Sequence, residues 1–177
     1  MRANLIAVCL ALPTLAWAVG GDDAAPPKPT PTTTECTGGQ IWDADSKTCV
    51  APKDARFDDD TLYDAARELA YAGQYGAAIA ALQAMSDPQD DRVLTYLGFA
   101  HRKSGDHAAG MAYYRQALAR NPDNLLARSY MGQAFVETSD VHLARAELRE
   151  IRARGGRMTW AWVSLDQAIR SGRGVSY

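Results

Sequence analysis

This sequence is poor in cysteine and histidine, which serve as nucleophiles, acid–base groups and metal ligands, and it has three of each. It also has only three phenylalanines. It also lacks an excess of charge, because 19 basic and 21 acidic residues leave a formal net charge of −2. Such a balance offers no basic field to attract nucleic acid, and we expect no nucleic-acid partner. No apolar run reaches the ~20 residues that cross a bilayer, so we expect no stable membrane anchor.

The first 18 residues have the pattern of an export signal. Arg2 supplies one positive charge, residues 5–12 are apolar, and residues 16–18 (Ala-Trp-Ala) place small side chains where signal peptidase cleaves. We therefore expect a signal peptide over residues 1–18, a mature chain that begins near Val19, and a periplasmic or secreted protein.

Residues 19–35 are rich in proline and threonine, and from residue 20 onward they contain no aliphatic side chain larger than alanine. A stretch of this composition buries too little apolar surface to offset its loss of conformational entropy. We expect a disordered, partly polyproline-like tether here.

Residues 36–52 are predicted to form a small module closed by a disulfide between Cys36 and Cys49. These are the two cysteines left after export, and an even pair in an oxidising compartment favours a bond. Turn residues flank Ile41 and Trp42, and the pattern loosely resembles fragments of extracellular carbohydrate-binding modules. Trp42 is interpreted as a packing residue, with glycan contact as the alternative. We expect the module to add little to the packing of the helices that follow.

From residue 58 onward the pattern changes to helical periodicity with turns at a near-constant spacing. The 34 residues 91–124 show the unit most completely. Gly98, without a side chain, allows its two helices to approach closely. Gly105 can adopt the left-handed backbone conformation that commonly ends a helix, here the first of the pair, and Pro122 ends the second helix.

This unit resembles the tetratricopeptide repeat, through Leu94, the Leu97–Gly98 pair, Tyr114, Ala117 and Pro122. Aligning outward gives two further units, 59–90 and 125–156, and a capping helix over residues 157–171. The resemblance implies an all-α, right-handed solenoid of three helix pairs plus the cap over residues 58–171. Trp160, Val163 and Ile169 are predicted to face the third repeat. Glu68 occupies a position where the other repeats have alanine.

The resemblance also implies a function, because arrays of this family hold peptides or partner helices on the concave surface formed by their first helices. The positions of this groove are Tyr63, Arg67, Arg92, Thr95, Phe99, Arg102, Leu126, Ser129 and Gln133. Aromatic and arginine side chains often dominate binding energy, so Phe99 and Arg102 are the strongest candidates. We predict an extracytoplasmic adaptor or scaffold for a protein or peptide partner, and self-association stays open. The alternative is an envelope glycan- or ligand-binding protein that uses the Cys36–Cys49 module.

Signatures of catalysis are absent from the sequence: there is no phosphate-binding glycine loop, zinc helix pair or nucleophile elbow. We therefore predict no enzyme activity, no cofactor and no metal site. Asp58, Asp59 and Asp60 precede a predicted helix, where negative charge is favourable. Five arginines make the end of the third repeat basic, and they form either a solvated face or a surface for an acidic partner or anionic lipid. They are Arg145, Arg149, Arg152, Arg154 and Arg157.

Overall fold

The computed structural model describes residues 25–174, and helices dominate this part of the chain. In chain order the elements are α1 (Pro31–Thr34), β1 (Ile41–Asp43), β2 (Thr48–Val50), α2 (Asp59–Tyr71), α3 (Tyr75–Leu82), α4 (Asp91–Lys103), α5 (His107–Arg120), α6 (Leu125–Glu137), α7 (Val141–Ala153) and α8 (Trp160–Ser171). The predicted signal peptide, residues 19–24 of the predicted tether and residues 175–177 lie outside the described residues.

Three helix pairs follow one another as predicted: α2 packs against α3, α4 against α5 and α6 against α7. The first helix of each pair begins at an acidic or amide side chain that accepts a backbone hydrogen bond. Asp58 accepts from Thr61 N at 2.8 Å, and Asn124 accepts from Ala127 N at 2.8 Å. These caps satisfy amides that the first turn of a helix leaves without partners. The prediction of an all-α array is confirmed.

Within the second pair, Gly98 lies where α4 and α5 are in closest contact. A Cβ atom at this position would lie 2.5 Å from Cε1 of Tyr114, whose ring is fully buried. The close approach predicted from the glycine is therefore confirmed, and the ring that needs the space comes from the partner helix of the same pair.

The capping helix α8 packs against α6 and α7, but not through all the predicted residues. Leu165 and the small residues Ala161 and Ala168 are buried, whereas Val163 is 36% exposed, so the prediction for Val163 is wrong. The reason lies in α6, where a Cβ atom on Gly132 would come within 2.6 Å of Leu165. Leu165 fills that space and sets the rotation of the helix.

Residues 25–35 lie against α2, in a different arrangement from the extended tether that their composition predicts. Glu68, a buried carboxylate of α2, accepts from Thr30 N at 2.7 Å and from Thr30 Oγ1 at 2.6 Å. The hydroxyl of Thr33 donates to the same carboxylate. Threonines supply the donors that a buried carboxylate requires, which explains why this repeat has Glu68 where the others have alanine.

The disulfide between Cys36 and Cys49 is present, and it joins the start of the module to β2. β1 and β2 form an antiparallel hairpin in which Trp42 is opposite Cys49. Side chains alternate along a strand, so Ile41 points the other way. It is 1% exposed and belongs to the same core cluster as the first two helix pairs. The expectation that the module adds little to helix packing is wrong.

Candidate partner-binding surface

The first helices of the three pairs lie side by side, with α4 in contact with both α2 and α6. All nine predicted groove residues lie on these three helices. The helices therefore bring the predicted set together on one part of the molecule. The question for function is which of these side chains another molecule could reach.

An aromatic layer runs across all three first helices. Phe99 is at its centre, with ring centroids 5.5 Å from Tyr71 of α2 and 4.8 Å from Tyr130 of α6. Tyr96 lies beside it, 5.6 Å from Tyr63 and 6.0 Å from Tyr130. The hydroxyls of Tyr71 and Tyr130 are 2.7 Å apart and share a hydrogen bond. Tilted and edge-on contacts of this kind add to the energy of burial.

Two arginines are built into this layer. Arg67 donates from Nε to the hydroxyl of Tyr96 at 3.3 Å. Arg102 donates from Nε to the hydroxyl of Tyr114 at 3.2 Å and pairs with Glu137 at 2.5 Å. The guanidinium groups of Arg67 and Arg102 hold high pKa values despite burial, because the phenol groups and carboxylates around them favour the charged form. Burial in turn raises the pKa of Tyr96.

Most of the predicted groove residues are buried rather than displayed. Phe99 is 0% exposed and Arg102 is 2% exposed. Tyr63, Arg67, Thr95, Ser129 and Gln133 are buried as well, and only Arg92 and Leu126 remain partly exposed. The rings of Tyr71 and Tyr130 pack on Phe99 from two neighbouring helices. In this conformation Phe99 and Arg102 support the layer and offer little surface to a partner.

The polar members of the predicted set are held by neighbouring helices. Thr95 donates to the carbonyl of Asp91 at 2.6 Å and accepts from Asn124 at 3.0 Å. Ser129 shares a 3.0 Å hydrogen bond with Ser164 of α8. These contacts fix the spacing of successive helices, so a structural role accounts for both residues.

The accessible edge of the layer is cationic and aromatic. The side chain of Arg92 is 42% exposed and its guanidinium lies 4.9 Å from the centroid of the Tyr63 ring. Tyr71 and Lys103 are half-buried. Burial and the neighbouring charge of Arg102 lower the pKa of Lys103. We call Tyr71, Arg92, Lys103 and Leu126 the rim of the concave face.

The layer contains three tyrosines outside the predicted groove set: Tyr71, Tyr96 and Tyr130. Tyr96 and Tyr130 are separated by 34 residues, the length of one unit. That periodicity was the available signal. Tyr71 carried none, because it falls at the last position of α2, where the repeat pattern specifies nothing.

The remainder of the described chain offers fewer candidates. Among residues 25–174 no group of three or more histidine, cysteine, aspartate or glutamate side chains is placed to hold a metal ion. No helix in that range is both long and apolar enough to span a bilayer.

A half-open cavity of about 240 Å³ lies between the proline segment and α2, lined by Pro26, Pro27, Pro29, Thr33, Glu68, Tyr71 and Ala72. In the disulfide module, Trp42 is half-buried and its amide donates to the hydroxyl of Thr32 at 3.2 Å.

Comparison with known proteins gives one finding. Residues 91–134, which cover α4, α5 and the larger part of α6, match the family model described as a tetratricopeptide repeat. A search of the curated proteins and a search of the solved structures each gave no significant match. Repeats of this family generally mediate protein–protein interaction and generally act as scaffolds without catalysis.

Proposed function

From the match of residues 91–134 to the tetratricopeptide-repeat model, we propose that this chain is a repeat protein that acts as a non-catalytic, extracytoplasmic adaptor. Its partner is a peptide or helix of another protein, held along the concave face of the three first helices. One observation carries the proposal: an aromatic and arginine layer is continuous from α2 through α4 to α6, with a cationic rim that is partly exposed.

The layer suits this role because its side chains are already packed and hydrogen-bonded without a partner. Rings and guanidinium groups that are already packed and hydrogen-bonded lose little conformational entropy on binding. The rim supplies the positive charges of Arg92 and Lys103. Arg92 is paired with Asp60 and Asp90, and a partner segment that carries carboxylates would compete with these partly exposed pairs. The buried Phe99 and Arg102 hold the rim in place from below.

Two features support an extracytoplasmic location. Residues 1–18 have the composition of an export signal. Cys36 and Cys49 are bonded, and such bonds persist mainly in oxidising compartments. N-terminal sequencing of protein from the producing cell should give a start at or near Val19. A mature chain that retains Met1 would contradict the location and leave the adaptor role untouched.

The binding role is tested at the rim, since truncation of buried Phe99 would destabilise the fold by ~3–5 kcal/mol and confuse the result. The test variant combines Arg92→Ala with Lys103→Ala. The matched control is Arg115→Ala, which removes an exposed arginine from α5, a second helix. Immobilised parent, test variant and control are each used to capture proteins from an envelope extract, with thermal melting as a check on folding.

We expect the control to capture the same proteins as the parent and the rim variant to lose them. A third arm carries Trp42→Ala in the disulfide module. If the rim variant captures the parent's partners and Trp42→Ala does not, the disulfide module is the binding site. In that case the protein is a ligand-binding envelope protein and not an adaptor that uses its repeats.

A further inference from the structure

The helix α7 carries an arginine surface that the concave face does not use. Arg145, Arg149 and Arg152 are all exposed. They are spaced by four and three residues, so they fall within about 60° of the helix circumference and extend over roughly 10 Å along it. We call these three side chains the α7 arginine stripe.

The guanidinium groups of the stripe have no direct partner: none of the three forms a salt bridge or hydrogen bond with any residue in the described range 25–174. The charge of Arg149 helps to lower the pKa of Glu150, but only at a distance. The carboxylates of α7 are engaged elsewhere: Glu147 pairs with Arg128 at 3.0 Å, and Glu150 pairs with Arg154.

The acidic residues of the chain are concentrated at its other end. Residues 20–91 contain fourteen acidic and five basic residues, whereas residues 92–177 contain seven acidic and thirteen basic residues. On α2, Asp60 contacts Arg92 at 3.4 Å and Asp64 contacts Arg67 at 3.4 Å. If a second copy of this chain presented these two carboxylates to the stripe, it would exchange existing ion pairs for similar ones and gain little, so we favour a different protein as the partner.

The chemistry of the stripe indicates carboxylates on a protein rather than a lipid surface. Every basic residue after Lys103 is arginine, the side chain best suited to paired hydrogen bonds with carboxylates. A peripheral membrane face also needs large apolar side chains beside its charges. His142 and Ala153 flank the stripe on one side of its arc, and Val141 and Leu148 flank it on the other. Val141 and Leu148 are partly buried, and Leu148 packs against the core of the third pair, so neither is a fully exposed apolar anchor. The exposed Leu143 lies about 160° around the helix from Arg145.

We propose that the α7 arginine stripe docks an acidic α-helix of a partner protein, whose carboxylates repeat with the same spacing of three and four residues. A straight row of three charges on one helix matches a second helix that lies alongside it. This site lies on a second helix of the array, apart from the rim, and it does not depend on the adaptor proposal.

The test uses two synthetic helical peptides of identical composition. In the striped peptide, glutamates repeat every three and four residues along one face; in the scattered peptide, the same glutamates are distributed around the helix. Binding to the full mature chain is measured by fluorescence anisotropy at low and moderate salt. The test variant is Arg145→Gln/Arg149→Gln/Arg152→Gln. The control, Arg115→Gln/Arg170→Gln/Arg173→Gln, removes the same charge from other exposed positions.

We expect the parent and the control to prefer the striped peptide by about tenfold, as three exposed ion pairs formed together allow, and the test variant to lose that preference. Equal binding of the two peptides, or equal losses in both triple variants, would reduce the effect to general charge attraction and overturn the proposal. Vesicles with phosphatidylglycerol form a further arm. Stripe-dependent binding to them without a preference between the peptides would assign the surface to lipid and overturn the proposal as well.

Discussion

At the scale of single residues, Gly98 gives the most direct test of packing in the second helix pair. Replacing it with alanine places a methyl group about where Tyr114 already lies, with 2.5 Å between the new Cβ and the ring. We expect a loss of ~1–3 kcal/mol in the free energy of unfolding, measured by urea denaturation. Gly76→Ala is the matched control, because that helical glycine has open space around it. The control should be neutral or slightly stabilising, since alanine is the better helix former. If the two variants have the same stability, the close approach of α4 and α5 is not what Gly98 provides.

The residue after the C-cap of each first helix is a second position at which a single side chain affects stability. Gly105 has φ +100°, whereas the third pair places Ser139 at φ +67°. A left-handed conformation costs a residue with a side chain ~1 kcal/mol, which glycine avoids. Ser139→Gly should therefore raise the melting temperature, and Gly105→Ala should lower it. A stabilising effect of both substitutions would show that backbone strain does not decide these positions.

The carboxyl of Asp43 leads to a prediction about how the hairpin responds to pH. Hydrogen bonds from Ser46 and Arg56 lower the pKa of its carboxyl from 3.8 to about 2. A carboxylate with a depressed pKa stabilises the fold above its unfolded pKa, and this contribution is lost as pH falls through the folded pKa. We expect the hairpin resonances to shift between about pH 4 and pH 2 in an NMR titration. In Arg56→Ala, Asp43 should titrate closer to its usual pKa.

At the scale of elements, the disulfide hairpin should behave as part of the helical array. Ile41 inserts from β1 into the core of the first two pairs, while the disulfide closes the loop behind it. Closing a loop of this length contributes ~3 kcal/mol in the chain-entropy model. Adding reductant should therefore lower the midpoint of helical melting, followed by circular dichroism at 222 nm. Ile41→Ala should lower it too, even in the oxidised protein, by ~2–5 kcal/mol. An unchanged midpoint in both experiments would mean that the hairpin folds independently.

Some features of these elements could be predicted from the sequence and others could not. Helix starts and the close approach at Gly98 could be predicted, because capping residues and glycine act locally. The position of residues 25–35 could not, since it depends on Glu68 of α2 accepting hydrogen bonds from Thr30 and Thr33. The predicted groove residues do lie on the three first helices, but the sequence does not reveal that Phe99 is buried there. Periodicity tells which side of a helix faces its neighbours, and it does not tell how large the rings from those neighbours are.

At the scale of the whole molecule, the hydrogen bond between the hydroxyls of Tyr71 and Tyr130 joins the first helix pair directly to the third, in addition to the contacts that both rings make with Phe99 of the second. An open stack of repeats that is stretched from its two termini unfolds repeat by repeat from one end. A stack whose outer repeats are linked is expected to resist extension until that link breaks, and then to unfold in one step. In optical tweezers we expect the parent to extend in a single large step. Tyr71→Phe, which removes only the hydroxyl, should extend in several smaller steps, and Tyr113→Phe, changed on α5, should keep the parent's single step. Stepwise extension of the parent would show that the hydrogen bond between Tyr71 and Tyr130 does not resist the applied force. Under the proposed adaptor function, unfolding in one step would release a partner bound on the concave face all at once when either terminus is pulled.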